Sequence, residues 1–198
     1  MQRKSMFLAV ISMVAVVMFM AGCAGMTAKP TEKNFKAPTV TLSHVEVQTY
    51  WGWWFFSNKI KPAKGKAGNY GAPLDLAFIF EITNPNDFPV KMEKFQFTVG
   101  FEDFDVNTVL SNEAMWIPAG KTNQIRFHSI QDARQTQLSL LVTGGLKLKE
   151  SGKSFWDMLE KWWTQIPDFS FPVHVRGGSA IFKADGVMKS VSFNYTFP

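Results

Sequence analysis

The sequence predicts a mainly β protein: a single antiparallel β-sandwich of roughly seven strands, with one or two helices inserted before the last strands. Three observations predict it. Apolar and polar residues alternate in one run after another, the mark of strands with one buried face. Clusters of turn-forming residues separate those runs. One late stretch breaks the pattern with apolar residues at helical spacing. Nothing repeats at a fixed period, which argues against solenoids and propellers, so the 198 residues hold one globular domain.

The chain opens on an export signal rather than on folded structure. Arg3 and Lys4 precede an apolar run from Met6 to Ala21, interrupted only by Ser12, and the small residues Ala21 and Gly22 lead into Cys23. A charged head, an apolar middle and a small-residue exit are what secretory machinery reads. The run has 16 residues, short of the ~20 that an unstrained spanning helix needs. No positive cluster follows it at once, as a stop-transfer flank would. Met20-Ala21-Gly22-Cys23 resembles the bacterial lipobox, with Met in place of the usual Leu, and the chain's one cysteine stands where that motif requires it. Acylation of Cys23 is therefore favoured over a reactive or intermolecular thiol. One myristoyl chain binds a bilayer only marginally, at ~0.8 kcal/mol per buried methylene, so the two or three chains of a lipobox protein would hold it there permanently.

Removing a leader of residues 1–22 takes away Arg3 and Lys4 and lowers the formal net charge from +5 to +3. That balance is too mild to suggest a nucleic-acid partner. A single cysteine forbids an intrachain disulfide, so the fold must rest on a hydrophobic core, which a chain of this length can bury.

Residues 23–36 are small, polar and broken by proline, and read as a lipidated tether. The globular domain is expected over residues 37–198. Val40, Leu42, Val45 and Val47 mark a first strand, with a slip near His44. Leu76, Phe78, Phe80 and Ile82 mark a second, and Phe95, Phe97, Val99 and Phe101 a third. Ile125 and Phe127 belong to a later strand, and Phe171, Val173 and Val175 to another that precedes Gly177-Gly178. Val187, Val191, Phe193, Tyr195 and Phe197 close the chain. Asn84-Pro85-Asn86-Asp87, Pro118-Ala119-Gly120-Lys121 and Ala184-Asp185-Gly186 supply turns.

The helical insertion spans about residues 131–166. Ser154 with Asp157 resembles a capping box, and Pro167 stops the helix at Ile166. Phe155, Trp156, Met158, Leu159, Trp162, Trp163 and Ile166 fill one arc of it, with the polar residues opposite. Asp132 to Thr143, ending at Gly144-Gly145, reads equally as a second helix or, through its late apolar residues, as a strand.

Three stretches together resemble the late-embryogenesis-abundant type 2 family, also called the water-stress and hypersensitive-response (WHy) domain. Ala37-Pro38 runs into the first strand. A strand, the Asn84-Pro85-Asn86 turn, Pro89-Val90 and a new strand follow. Pro118-Ala119-Gly120 then feeds the next strand. Order and spacing fit over about residues 37–130, and the closing strands fit loosely. The resemblance implies a fibronectin type III-like sandwich and a protective role for other proteins during drying, cold or related stress. It assigns structural roles to Asn84, Pro85, Asn86, Pro118 and Gly120, and it carries no catalytic residues.

No catalytic or metal site is expected. His44, His128 and His174 each fall inside an expected strand without ligand spacing, and no nucleophile elbow, GxGxxG or P-loop occurs. No cofactor is implied. The most unusual feature is Tyr50-Trp51-Gly52-Trp53-Trp54-Phe55-Phe56, six aromatics in seven residues, followed by Lys59, Lys61, Lys64 and Lys66. The favoured reading buries alternate rings in the sandwich and leaves the lysines to solvate a hairpin loop. The rival makes Tyr50, Trp51, Trp53, Trp54, Phe55 and the four lysines an interface for a membrane surface or an envelope protein. The Trp162-Trp163 helix has mixed charge on its polar face, unlike a basic interfacial helix, so packing over an open end or edge of the sandwich is favoured.

The functional expectation is a non-enzymatic, lipid-anchored domain of the cell envelope that binds or shields proteins or membrane under stress. The alternative is a structural or assembly lipoprotein that grips an envelope partner through its aromatic patch. Ala24, where an acidic residue would retain the protein at the inner membrane, leans toward the periplasmic face of the outer membrane.

Overall fold

Alternation along the strands puts large apolar side chains on facing inner surfaces, and two antiparallel sheets meet there in a computed structural model that describes residues 29–53, 56 and 71–198. Strands β1 (Thr39–Tyr50), β2 (Pro73–Thr83) and β6 (Thr122–Asp132) form one sheet in the order β1-β2-β6. The other contains β3 (Val90–Phe101), β4 (Phe104–Ser111), β5 (Met115–Ile117), β7 (Val173–Ala184) and β8 (Val187–Phe197). Its order is β4-β3-β7-β8, with β5 paired to the start of β3.

Leu76, Phe78, Phe80 and Ile82 of β2 are fully buried, as their spacing predicts. Phe78 meets Phe97 with ring centroids 5.1 Å apart, Phe80 meets Phe95 at 4.9 Å, and Phe127 stacks on Phe95 at 4.4 Å. Because these pairs join residues of different sheets, the phenylalanines are the contact between the layers. The open sides are tied as well. Tyr195 of β8 donates its hydroxyl to the Val40 carbonyl, and Asn107 of β4 donates to Ser129 Oγ at 2.9 Å.

One irregularity in the strands is expected from the sequence and one is not. The slip near His44 is a bulge between Leu42 and His44. The strand expected to stop before Gly177-Gly178 instead continues to Ala184, because the glycines form a bulge between Val175 and Gly178. Gly177 has φ +56°, which glycine adopts without steric cost, and a Cβ on Gly178 would lie 2.2 Å from the Phe193 ring.

Three helices connect β6 to β7 among the described residues: α1 (Ala133–Thr143), α2 (Gly145–Ser151) and α3 (Phe155–Gln165), the last followed by a 3₁₀ turn over Ile166–Asp168. Asp132 fixes α1 as a helix rather than a strand, its side chain accepting from the Gln135 N–H at 2.7 Å. Ser154 caps α3 by accepting from the Trp156 N–H at 3.2 Å, one residue earlier than a capping box requires. Helix α3 buries Met158, Leu159, Trp162 and Trp163 over the end of the sheets where β1 finishes and β2 begins. The Trp162 ring lies 5.5 Å from Phe101 and 5.9 Å from Phe104, and Trp163 Nε1 donates to the Ala72 carbonyl at 2.9 Å. Covering the end is thus what the Trp162-Trp163 helix does.

The expected tether needs correction over its second half. Residues 29–36 are docked on the domain, because Phe35 is 3% exposed and packs edge-on against Phe88 at 5.9 Å. Thr31 and Asn34 bond reciprocally, and Lys29 and Glu32 reach Asp185 at 3.6 Å and Lys189 at 3.1 Å. The folded unit therefore includes residues 29–36 ahead of Ala37.

Candidate functional site

The described residues of the aromatic segment sit at the α3 end. Tyr50 is half-buried and donates its hydroxyl to the Trp163 carbonyl, and burial pushes its phenol above the ordinary value. Trp53 lies 5.6 Å from Phe56 and 6.3 Å from Trp156, and Phe56 is 1% exposed. Trp156 in turn contacts Phe155 at 4.9 Å. These rings form a small core between the segment and the first turn of α3. Trp51 is different. Its backbone N–H donates to the Pro73 carbonyl at 2.9 Å, while the residue is 42% exposed. Trp54, Phe55, Lys59, Lys61, Lys64 and Lys66 lie outside the described residues, as do Met20, Ala21, Gly22 and Cys23.

Glu102, in the β3–β4 turn, holds the same end together. Its Oε1 accepts from Lys161 Nζ, its Oε2 accepts from Trp162 Nε1 at 2.9 Å, and its carbonyl accepts from Arg176. Burial alone would raise its carboxyl pKa, but the bonds from Lys161 and Trp162 outweigh it and hold the group below the usual value.

An apolar stripe beside this end escaped the sequence reading. Leu138 (58%), Leu141 (47%), Val142 (82%) and Leu146 (81%) are all exposed along α1 and the start of α2. The clue was the ambiguity of that stretch. Its late apolar residues exceed what one buried helical face takes, and on α1 only Leu140 of them turns fully inward.

At the opposite end, the three stretches that resemble the WHy family meet. Asn84 is fully buried and its Nδ2 donates to the carbonyls of Phe88, Ile117 and Pro118 at 2.9–3.1 Å. Its Oδ1 accepts from both the N–H and the Nδ2 of Asn86, and the Asn86 carbonyl accepts from Gly120 N at 2.9 Å. Asn86 also bonds the backbone of Lys36, next to Ala37-Pro38. Asn84 and Asn86 are thus the structural centre of the end at which the N-terminal segment docks.

The histidines are each engaged by neighbours. His44 bonds Ser43 and Glu46, His128 bonds Asp75 at 2.9 Å, and His174 bonds Thr196 at 3.0 Å. Among the described residues no group of three or more His, Cys, Asp or Glu is placed to hold a metal ion, and no helix is long and apolar enough to cross a membrane. A shallow groove of about 170 Å³ runs between β4 and α1, lined by Asn107, Thr108, Ser139 and Thr143 among others. It is smaller than the ~300 Å³ at which small-molecule sites begin.

No family model matches the chain, and no curated protein does. Among solved structures it is similar to a protein from Archaeoglobus fulgidus, at 9% identity and a TM-score of 0.41, covering 79% of this chain and 94% of that one. It is also similar to a Northeast Structural Genomics Consortium target, at 8% identity and a TM-score of 0.43, covering 81% of this chain and 86% of that one. Likenesses this loose carry no argument about function.

Proposed function

We propose that the chain is a lipid-anchored, non-enzymatic domain of the cell envelope, a fibronectin type III-like sandwich of the WHy type that binds or shields other proteins under stress. The observation that carries the reading is the Asn84–Asn86 knot. The first-strand approach, the Asn-Pro-Asn turn and the Pro-Ala-Gly turn, which together carry the family resemblance, are hydrogen-bonded to one another through two buried amides. The lipobox at the chain's one cysteine, six residues before the docked Lys29, supports an anchored placement, with Ala24 favouring the outer membrane. Shielding needs a stable scaffold with exposed apolar surface, and Leu138, Leu141, Val142 and Leu146 provide such surface.

Drying tests the reading. The protein should preserve several unrelated enzymes through desiccation at modest stoichiometry, and its maturation should be blocked by globomycin. Failure of protection across all enzymes tried would remove the stress role. The second reading is an assembly lipoprotein, favoured by the exposed Trp51 at the same end as the apolar stripe. It requires one defined envelope partner and no protection.

A further inference from the structure

We propose that the outer face of the five-stranded sheet at the docked N-terminal end lies on the phospholipid bilayer that holds the anchor. Trp116 and Met188 enter its headgroup layer, and Lys91 and Lys183 lie between them against anionic headgroups. The proposal rests on the reading of Cys23 as lipidated.

Strand register places these residues in one row. Trp116 of β5 pairs with Lys91 of β3, Lys91 with Lys183 of β7, and Lys183 with Met188 of β8. Directly paired residues project on the same face, and a strand spacing of about 4.8 Å makes the row about 14 Å long. Its ends are exposed apolar groups, Trp116 at 59% and Met188 at 58%. Its centre is cationic. Among the described residues Lys91 and Lys183 share a single carboxylate, Glu93, at 3.1 and 4.0 Å, which leaves positive charge on the row. Tryptophan with flanking lysine is the composition that settles at a membrane–water boundary, the ring among headgroups and the ammonium toward anionic phosphates.

The path of the chain brings the bilayer to this face. Lys183 and Met188 flank the hairpin turn at Asp185, and Asp185 is where Lys29 docks. Cys23 stands six residues before Lys29. At full extension those residues span at most ~3.6 Å each, so the acyl anchor is held within about 22 Å of Lys29, which sits beside the hairpin. The Tyr50 end of β1 lies at the other end of a 12-residue strand, roughly 36 Å from the Thr39 end. Tyr50, Trp51 and Trp53, the described part of the rival membrane contact from sequence, are therefore at the far end. The row around Trp116 is at the near one.

The test uses the acylated full-length protein in vesicles of phosphatidylethanolamine and phosphatidylglycerol. Acylation consumes the one native thiol, so a cysteine introduced by Met188→Cys, or at the far end by Trp51→Cys, carries an environment-sensitive fluorophore alone. The mass of the N-terminal fragment reports acylation in each preparation. The label at position 188 should shift to the blue and be quenched by bromine on the lipid chains, while the label at position 51 keeps its aqueous emission. Trp116→Ser, an exposed change, should reduce the shift at 188, and Lys91→Gln with Lys183→Gln should remove its dependence on phosphatidylglycerol. An acylated protein whose 188 label stays aqueous, or whose 51 label shifts instead, overturns the docking face and leaves the anchor standing. An unacylated Cys23 overturns both.

Discussion

Asn86 and Lys36, 50 positions apart, exchange two hydrogen bonds of 2.8 Å, the Lys36 N–H donating to Asn86 Oδ1 and Asn86 Nδ2 donating to the Lys36 carbonyl. A side-chain amide here does what a neighbouring strand would do, closing both bonds of a backbone bridge. Asn84 stands behind it with its own amide spent on three carbonyls and on Asn86. The docked N-terminal segment, the β2–β3 turn and the β5–β6 turn thus share one buried polar network, in which the Asn84 donor serves the carbonyls of both turns and its acceptor holds Asn86.

Asn84→Asp tests that dependence with almost no change in shape. Aspartate has no NH₂, so the carbonyls of Phe88, Ile117 and Pro118 lose their donor and face a buried carboxylate instead. Asn86 still donates to that carboxylate, but a buried charge without an opposite charge costs about 3–5 kcal/mol. The urea midpoint should fall by a corresponding amount with an unchanged slope. A midpoint near that of the wild type would mean the knot contributes little.

Glu102 makes stability at the α3 end depend on acid. Its folded carboxyl titrates below its ordinary value of 4.5 despite partial burial, because Lys161 and Trp162 donate to it. A carboxylate lowered in this way stabilises the fold above its unfolded pKa, and the contribution is lost as pH falls through the lowered folded value. Glu102→Gln should cost about 1–2 kcal/mol at neutral pH, since hydrogen bonds to charged groups are worth about 1.5–3 and the site is partly solvated. The cost should shrink below pH 4.5, seen as urea midpoints of the two proteins converging in acid.

Much of this architecture was legible where one periodicity held without interruption. Leu76, Phe78, Phe80 and Ile82 alternate through β2, and their burial follows. In β4 the buried positions are Phe104, Val106 and then Val109, so the alternation slips after four residues and the strand does not announce itself. Gly177-Gly178 reads as the end of a strand because nothing local reveals that Phe193, from the next strand, occupies the missing side chain's place. The fate of Trp53 and Phe56 depends on Trp156, about a hundred residues later, and pair contacts at that range have no sequence period. Trp116 belongs to a strand of three residues, too short for any pattern. Its place in a row with Met188 exists only through register across three strand pairings.

Gly178→Ala puts a number on the bulge. The added Cβ would stand 2.2 Å from Phe193 Cε2, so the ring or the strand must shift. Overpacking of this kind costs about 1–3 kcal/mol. Phe193→Leu in the same chain makes room, and the double-mutant cycle should show a coupling of at least about 0.5 kcal/mol. Simple additivity of the two changes would place the strain elsewhere.

Gln131 offers the opposite sign. It is 3% exposed, and among the described residues neither its Oε1 nor its Nε2 has a hydrogen-bond partner. An unsatisfied buried amide costs about 1–3 kcal/mol relative to an apolar group of the same shape. Gln131→Met, close in volume and flexible enough to fill the space, should raise the thermal midpoint. A fall would show that the amide is satisfied in solution.

Leu138, Leu141, Val142 and Leu146 connect the fold to the proposed work. A fold that serves only itself gains nothing from four exposed aliphatic side chains on consecutive helical turns, whereas a surface that engages unfolding proteins needs them, because shielding operates through apolar contact. Replacing Leu138 and Val142 with serine removes apolar area without touching the core, and exposed changes of this type usually stay within about 0.5 kcal/mol each. The expected outcome is a separation of two measurements. The thermal midpoint should hold, while the activity of an unrelated enzyme recovered after drying in the variant's presence should drop toward that of a control protein. Full protection from the variant would place the shielding surface elsewhere, with the exposed Trp51 as the next position to change.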